Sequence, residues 1–522
     1  MFTFEKLSNF NNEDIINMYE NELKQWESQL GKNYPLKYGN KIVSKKIKIP
    51  SLNPSNHKQV IGYLDAADTS DIDNAIKVAK NTFLEWRSVD IETKSNLFLN
   101  IAEKLKIKKY KFASLMTLEA GKSWIEADAD VAEAIDFLKY YSEQIKSISQ
   151  IKVGQIEDFE HNEFRYIPLG VGAIITPWNF PLAILVGMIV SAIITGNTVI
   201  VKPAMTAGVI AHEFYDLMIE CGLPSGVVNL CYGDGPEIGK YLVKHPEISF
   251  ISFTGSKKVG LEIFHNSSKI YENQRHLKKV IAEMGGKDAI IADRDIDLVW
   301  AADIIVKSAF GFSGQKCSAC SRLYIHENVY DDLLIKLKSA TEKLVLGDPK
   351  NRNTFMGPLN DINAFNKVSK YILYGKKHNK ILVGGNFDNS KGYFVSPTIF
   401  FDVKNDSILM QEEIFGPLLS VNKFKTIEEA VSLCNDSEYG LTGGILSNNE
   451  FNINYVKENF QVGNLYINRK CTGAIVGYQP FGGFKLSGTD SKAGGPNHLL
   501  LFVQGQTITT RKGDLKWNQR LT

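Results

Sequence analysis

Cysteine is scarce in this chain. Six thiols (Cys221, Cys231, Cys317, Cys320, Cys434 and Cys471) are spread over 522 residues. That density excludes a disulfide-stapled scaffold and fits a reducing, cytoplasmic setting. Cys317 and Cys320 stand three residues apart, but no second Cys or His pair completes a zinc site, and no short βαβ pattern brackets them as in a thioredoxin-like redox protein. An excess of one charge is missing too: 60 basic and 58 acidic residues leave a net +2, so no strong field draws the chain to nucleic acid or to an anionic membrane. Long apolar runs are limited to residues 180–194. Pro181 and Gly187 interrupt that run, which is shorter than the roughly 20 residues of a bilayer span. A buried helix is expected there, ended by a Gly-Asn turn and a short strand at 198–201. The N-terminus is acidic and lacks a signal-type apolar core. The dinucleotide glycine fingerprint is also absent: Gly233, Gly235 and Gly239 set the third glycine one residue too far, so any nucleotide is held in a non-standard way. No fixed-period repeat or low-complexity tract is visible.

What is present is an ordinary globular composition, 44% hydrophobic and 23% charged, with material for two or three domains. Residues 1–41 are polar and aromatic and read as an N-terminal extension. Residues 71–148 show helical periodicity. The polar stretch 149–166 reads as a protruding hairpin. From Gly170 short apolar strands (171–175, 198–201, 227–231 and 248–253) alternate with helices across glycine-rich turns, the pattern of a parallel sheet covered on both faces. The alternation resumes over 288–459 and predicts a second α/β domain. Residues 463–496 are rich in glycine, either an ordered loop system against a ligand or a set of plain turns.

Several residues could carry chemistry. Cys317 follows a predicted helix and Lys316, whose charge would lower the thiol pKa; the alternative is a buried structural cysteine. Glu283 ends an apolar strand before Gly285 and Gly286. Strand carboxyl ends are where α/β sheets bind ligands, and partial burial would make this carboxylate a general base; alternatively it caps a nearby backbone amide. Asn179, in Thr176-Pro177-Trp178-Asn179-Phe180-Pro181, could donate to an oxyanion or cap the apolar helix. Lys202 ends a strand and could reach cofactor hydroxyls or lie in solvent. Phe253-Thr254-Gly255-Ser256 joins a strand to a helix N-terminus, which suits a pyrophosphate or is an ordinary cap.

Taken together and in this order, Pro177-Trp178-Asn179-Phe180-Pro181, Gly196-Asn197-Thr198-Val199-Ile200-Val201-Lys202-Pro203, Phe253-Thr254-Gly255-Ser256, Glu283-Met284-Gly285-Gly286-Lys287, Gly314-Gln315-Lys316-Cys317 and Glu412-Glu413-Ile414-Phe415-Gly416-Pro417 resemble the motif set of the aldehyde dehydrogenase superfamily. The resemblance runs from about Pro50 to about Gln504. It implies an α/β aldehyde dehydrogenase fold: a Rossmann-like NAD-binding domain (42–148 and 167–284), an α/β catalytic domain (285–497), and a small β hairpin with the C-terminal tail for oligomerisation (149–166 and 498–522). It also implies that Cys317 is the nucleophile, Glu283 the general base and Asn179 an oxyanion donor. NAD, with NADP possible, would be held by Thr176, Lys202, Gly255, Ser256, Glu413 and Phe415. No nucleic acid or membrane is implied as a partner, and a homodimer or higher homo-oligomer is.

A narrower likeness covers the run from Gly463 to Gly483, Gly488-Thr489-Asp490-Ser491-Lys492-Ala493-Gly494-Gly495-Pro496, and Glu126-Ala127-Asp128-Ala129-Asp130-Val131-Ala132-Glu133-Ala134-Ile135-Asp136-Phe137. All three are similar to the branch that acts on Δ1-pyrroline-5-carboxylate, in the form without a fused proline dehydrogenase domain. That likeness implies L-glutamate γ-semialdehyde as substrate, with Ser318 and the Gly473 and Ala474 N–H groups on its α-carboxylate and Phe180 and Phe481 over its stem. Two departures stand out. Ala474 replaces a serine found in some members, which removes one hydroxyl donor. Met205 stands where many NAD-preferring members place a glutamate, which loosens any strict NAD preference. The alternatives are another semialdehyde dehydrogenase, acting on succinate or glutarate semialdehyde, and a non-catalytic protein on the same fold. The Cys317–Cys320 spacing also raises a redox role for Cys320.

Overall fold

The computed structural model describes residues 2–148, 153–154 and 160–511. Two seven-stranded sheets organise them. In the first, strands lie in the order Lys279–Glu283, Phe250–Thr254, Val171–Ile175, Thr198–Lys202, Val228–Leu230, Leu36–Tyr38 and Lys41–Val43. The first five run parallel and the last two are antiparallel additions. Thr198–Lys202 is buried along its whole length and Val171–Ile175 nearly so. Continuous buried runs of this kind are what a sheet covered on both faces requires.

The coverage comes from helices. Thr69–Trp86, Ile91–Ile107, Lys109–Glu119 and Trp124–Ile148 occupy the stretch read as helical. Asp68 and Asp71 close a reciprocal capping box at the first of these. The apolar run condenses into the helix Ala183–Ile194, buried on nearly every side. No helix among the described residues is long and apolar enough to cross a membrane.

The second sheet runs Lys380–Val383, Thr398–Phe401, Leu418–Phe424, Cys320–His326, Asp288–Ala292, Thr442–Leu446 and Asn464–Ile467, all parallel except the first. A separate two-stranded ladder pairs Glu160–Pro168 with Val503–Arg511. The stretch read as a hairpin at 149–166 therefore contributes one strand of a ladder closed by the C-terminal strand, so its partner lies more than 300 residues away. Residues 149–152, 155–159 and 512–522 lie outside the described residues.

The stretch read as an N-terminal extension is built into the body. Helix Glu13–Glu27 buries Ile16, Tyr19, Leu23 and Trp26. Tyr19 stacks on Trp124 at 4.1 Å and hydrogen-bonds Thr117 at 2.7 Å. Strand Leu36–Tyr38 joins the first large sheet. Four aromatic and aliphatic residues spaced along one helical face bury too much apolar surface to stay in solvent.

Candidate active site

The parallel register of the first sheet aligns its carboxyl ends. Lys202 pairs with Ile175, Ile175 with Phe253, and Thr254 with Glu283. Thr176, Lys202, Gly255, Ser256 and Glu283 thus emerge along one sheet edge, where α/β sheets leave a crevice. The second sheet meets that edge with its amino ends: Asp288 pairs with Cys320, and Cys317 lies in the turn just before.

That turn is strained. Helix Leu298–Phe310 ends, and Phe312, Ser313 and Gly314 take φ of 50°, 55° and 68°. The left-handed conformation costs of order 1 kcal/mol at each non-glycine residue and persists only where neighbours hold it. Here Ser313 Oγ donates to the Gly357 carbonyl at 2.7 Å, and Gln315 is fixed through both ends of its amide by Pro358 and Asn360. Gly286 has no room for a side chain, because a Cβ there would collide with the Cys317 carbonyl.

Cys317 opens onto two clefts. One, of about 410 Å³, is lined by Pro177, Trp178, Asn179, Thr254, Gly255, Ser256, Glu413 and Phe415. The other, of about 140 Å³, is lined by Glu133, Phe180, Glu283, Ser318, Gly473, Ala474 and Phe481. Four of the residues expected at the cofactor and all of those expected at the substrate therefore line two different spaces, which share Cys317, Met284, Thr254 and Ile184. Thr176 and Lys202 line neither space. The Thr176 N–H donates to the Lys202 carbonyl at 3.3 Å behind the first cleft.

Asn179 is not a helix cap. It is 5% exposed, and its Nδ2 donates to the Gln315 carbonyl at 3.1 Å, which holds the side chain beside Cys317 with a second N–H still available. The Cys317 backbone N–H bonds no described residue. Ser256 is both a cap and a cleft residue: its hydroxyl accepts from the Val259 N–H at the start of helix Lys257–Ser267. Lys202 is 7% exposed and not solvated; burial lowers its ammonium to about 8, partly opposed by Asp234. Glu413 accepts from the Gly286 N–H at 3.0 Å through one oxygen. Its second oxygen finds no donor among the described residues, and burial raises its pKa. Phe415, at φ 61°, packs edge-on against Trp178 at 5.6 Å.

The expected effect of Lys316 on the thiol is overturned. Lys316 Nζ is engaged by Glu126 at 2.7 Å. Burial, followed by the negative charges of Asp288, Glu413 and Glu283, pushes the Cys317 thiol well above the ordinary cysteine range. Glu283 is itself pushed up to about 7 by burial, against hydrogen bonds from the Ser491 hydroxyl at 2.7 Å, the Ser491 N–H at 3.2 Å and the Gly483 N–H at 3.3 Å. The Glu283 carboxylate accepts from loop amides, as the capping alternative has it, and also lines the smaller cavity. Cys320 is buried, donates to the Arg322 carbonyl at 3.3 Å and lies against Cys471.

At the far end of the smaller cavity Gly473 takes φ 75°, and the Gly473 and Ala474 N–H groups bond no described residue. Glu133 faces the same space and was not singled out from the sequence. Burial, then the charge of Asp130, raises it to about 8. Its signal was present: Glu126, Asp130 and Glu133 fall at i, i+4 and i+7 among the alanines of the helix's first half. Asp130 pairs with Lys122 at 2.7 Å with both side chains fully buried, and Lys122 sits 4.0 Å over the Phe180 ring. Ser491 and Lys122 carried no signal in sequence, because their partners are distant along the chain or set by tertiary packing.

A family model for the aldehyde dehydrogenase family matches residues 42–508, and the chain belongs to that family. Proteins named 1-pyrroline-5-carboxylate dehydrogenase are close relatives. One from Geobacillus sp. (strain WCH70) is 48% identical over 508 residues, 97% of this chain and 99% of the relative. One from Bacillus cytotoxicus is 50% identical over 491 residues, 94% of this chain and 95% of the relative. A crystal structure of 1-pyrroline-5-carboxylate dehydrogenase from Thermus with bound NAD superposes with a TM-score of 0.96 at 41% identity, covering 98% of this chain and 99% of that one.

Proposed function

We propose that this protein oxidises L-glutamate γ-semialdehyde, the open form of Δ1-pyrroline-5-carboxylate, to L-glutamate with NAD, the second step of proline degradation. The observation that carries the reading is the placement of Cys317 between two clefts, one ending in the unpaired N–H groups of Gly473 and Ala474. The names of the full-length relatives support the same reading.

The larger cleft fits a dinucleotide. It offers the helix N-terminus at Ser256 to a pyrophosphate and the orphaned oxygen of Glu413 to a ribose hydroxyl. Phe415 supplies a face for the nicotinamide end, and Lys202 and Thr176, behind this cleft, are the remaining residues assigned to the cofactor. When bound, NAD accepts the hydride that leaves the substrate carbon. In the smaller cavity Ser318, Gly473 and Ala474 hold the α-carboxylate, and Phe180 and Phe481 enclose the stem. Glu133 is the counter-charge for the α-ammonium, whose arrival would draw it into the ionised form. Anchoring both α-substituents fixes the distance to the aldehyde and so selects chain length.

Cys317 loses its S–H proton to water, the thiolate adds to the aldehyde carbon, and the oxyanion so formed falls to Asn179 Nδ2 and the Cys317 N–H. Loss of hydride leaves a thioester on Cys317. Glu283 takes a proton from water, the hydroxide adds to the thioester carbon, and the thiolate departs.

The domain roles outlined from the sequence are part of this reading. So is an assembly of at least two copies through the Glu160–Pro168 and Val503–Arg511 ladder. The six free thiols fit a reducing, cytoplasmic compartment. Met205 leaves NADP open as a second cofactor. The test is NADH absorbance with glutamate semialdehyde and with succinate semialdehyde, using Cys317→Ala as control. Faster turnover of succinate semialdehyde refutes the substrate, and activity in Cys317→Ala refutes the nucleophile. Light scattering that shows a monomer refutes the assembly.

A further inference from the structure

The geometry points to residues 2–8 as a strap that positions the carboxylate-anchoring loop 473–478 and so sets affinity for the amino-acid aldehyde. The inference rests on the substrate reading above.

The strap crosses the outer face of helix Trp124–Ile148. The Glu5 N–H donates to Asp136 at 2.7 Å, and Glu5 itself pairs with Lys139 and Lys106 at 3.2 and 3.3 Å. The Ser8 N–H and hydroxyl both donate to Asp128, which also pairs with Lys109 at 2.9 Å. Asp128 and Asp136 thus receive the strap, while Glu133 and Phe137 of the same helix line the substrate cavity.

Beyond the helix the strap reaches the loop. The Phe2 ring packs edge-on to Tyr140 at 5.3 Å and meets Tyr478 at 6.3 Å, and Phe4 packs edge-on to Tyr478 at 5.6 Å. Gly477, at φ 78°, has Phe2 and Tyr140 at 3.0 Å from where a side chain would begin. On its inner side the loop is tied to the same helix: the Gly477 N–H donates to the Gly494 carbonyl, and the Gly494 N–H donates to the Tyr141 hydroxyl, each at 2.9 Å. The loop is therefore clamped between Tyr141 within and Phe2 and Phe4 without, three residues from the N–H groups of Gly473 and Ala474. Arg469 holds the Gly473 carbonyl at 3.0 Å, and no described residue accepts from the Gly473 or Ala474 N–H. Their direction depends on how firmly residues 475–478 are seated. Anchors of this kind lose effectiveness steeply with small misplacement.

A Phe2→Ala/Phe4→Ala double variant tests this, with Phe2→Leu/Phe4→Leu as the conservative control. Edge-on aromatic pairs carry energies that correspond to about two- to tenfold in an equilibrium constant. The expected result is a rise of about tenfold in KM for glutamate semialdehyde, with KM for NAD and kcat/KM for butanal, which has no carboxylate, unchanged. The leucine variant should recover most of the loss. An unchanged KM for the semialdehyde overturns the inference. So does an equal loss with butanal, which would mean general loosening of the fold. If the parent enzyme fails to turn over glutamate semialdehyde, the substrate reading fails and not the strap. A cooperative thermal unfolding midpoint of the double variant above the assay temperature separates both outcomes from misfolding.

Discussion

Replacing Glu283 by glutamine should separate the two halves of the reaction. The carboxylate is pushed up from 4.5 to about 7, a difference of about 3 kcal/mol between its protonation states. Because the folded-state value is raised, ionisation opposes folding: the cost is absent below about pH 4.5, grows between 4.5 and 7, and is complete above 7. Glutamine removes that cost. It also turns an amide NH2 toward the Gly483 or Ser491 N–H groups, which accept nothing, at a penalty of about 1–3 kcal/mol. The variant should therefore fold with stability within about 2 kcal/mol of the parent at pH 8. Acylation does not use Glu283, so stopped-flow absorbance should still show a burst of one NADH per active site. Steady-state turnover should fall by about 10²–10⁴. In the parent, kcat should drop about fivefold between pH 7 and pH 6 as the ionised fraction falls from half to about a tenth. A variant that loses its burst together with turnover, or that turns over within tenfold of the parent, would refute Glu283 as the deacylating base.

Cys317, held protonated by burial and three carboxylates, should react slowly with iodoacetamide at pH 7 without cofactor, with a rate that still climbs above pH 9; a plateau below pH 8 would contradict this environment. Glu133→Gln should raise KM for glutamate semialdehyde about tenfold, a loss on the scale of one charge-assisted contact, and leave glutarate semialdehyde, which lacks the amine, unaffected; equal effects on both would remove Glu133 from ammonium recognition. Lys122→Met strands the fully buried Asp130 and should destabilise the fold by about 3–5 kcal/mol in urea unfolding; a change under 1 kcal/mol would show that Asp130 is neutral in the native state.

Local pattern alone was enough to find the strands of the first sheet, the helices before it and the buried apolar helix, because their periodicity and burial are encoded within each segment. Val171–Ile175 is an instance: a continuous apolar run, Val-Gly-Ala-Ile-Ile, is satisfied inside a sheet covered on both faces. The ordered motifs around Asn179, Glu283 and Cys317 likewise named the residues of the candidate site. Tertiary structure decided what those residues feel. Lys316 adjoins Cys317 in sequence, yet its charge is spent on Glu126, 190 residues away, so the thiol is raised and not lowered. The spacing of Glu126, Asp130 and Glu133 marks one acidic helix face, but that this face meets the substrate cavity follows only from how the helix packs beside the clefts. The strand at 160–168 found its partner at the other end of the chain, and residues 2–41 joined the core and two sheets. Short-range periodicity writes an element's face and ending into its own residues, whereas electrostatics and cavity shape arise from groups hundreds of residues apart that meet only when the chain has folded.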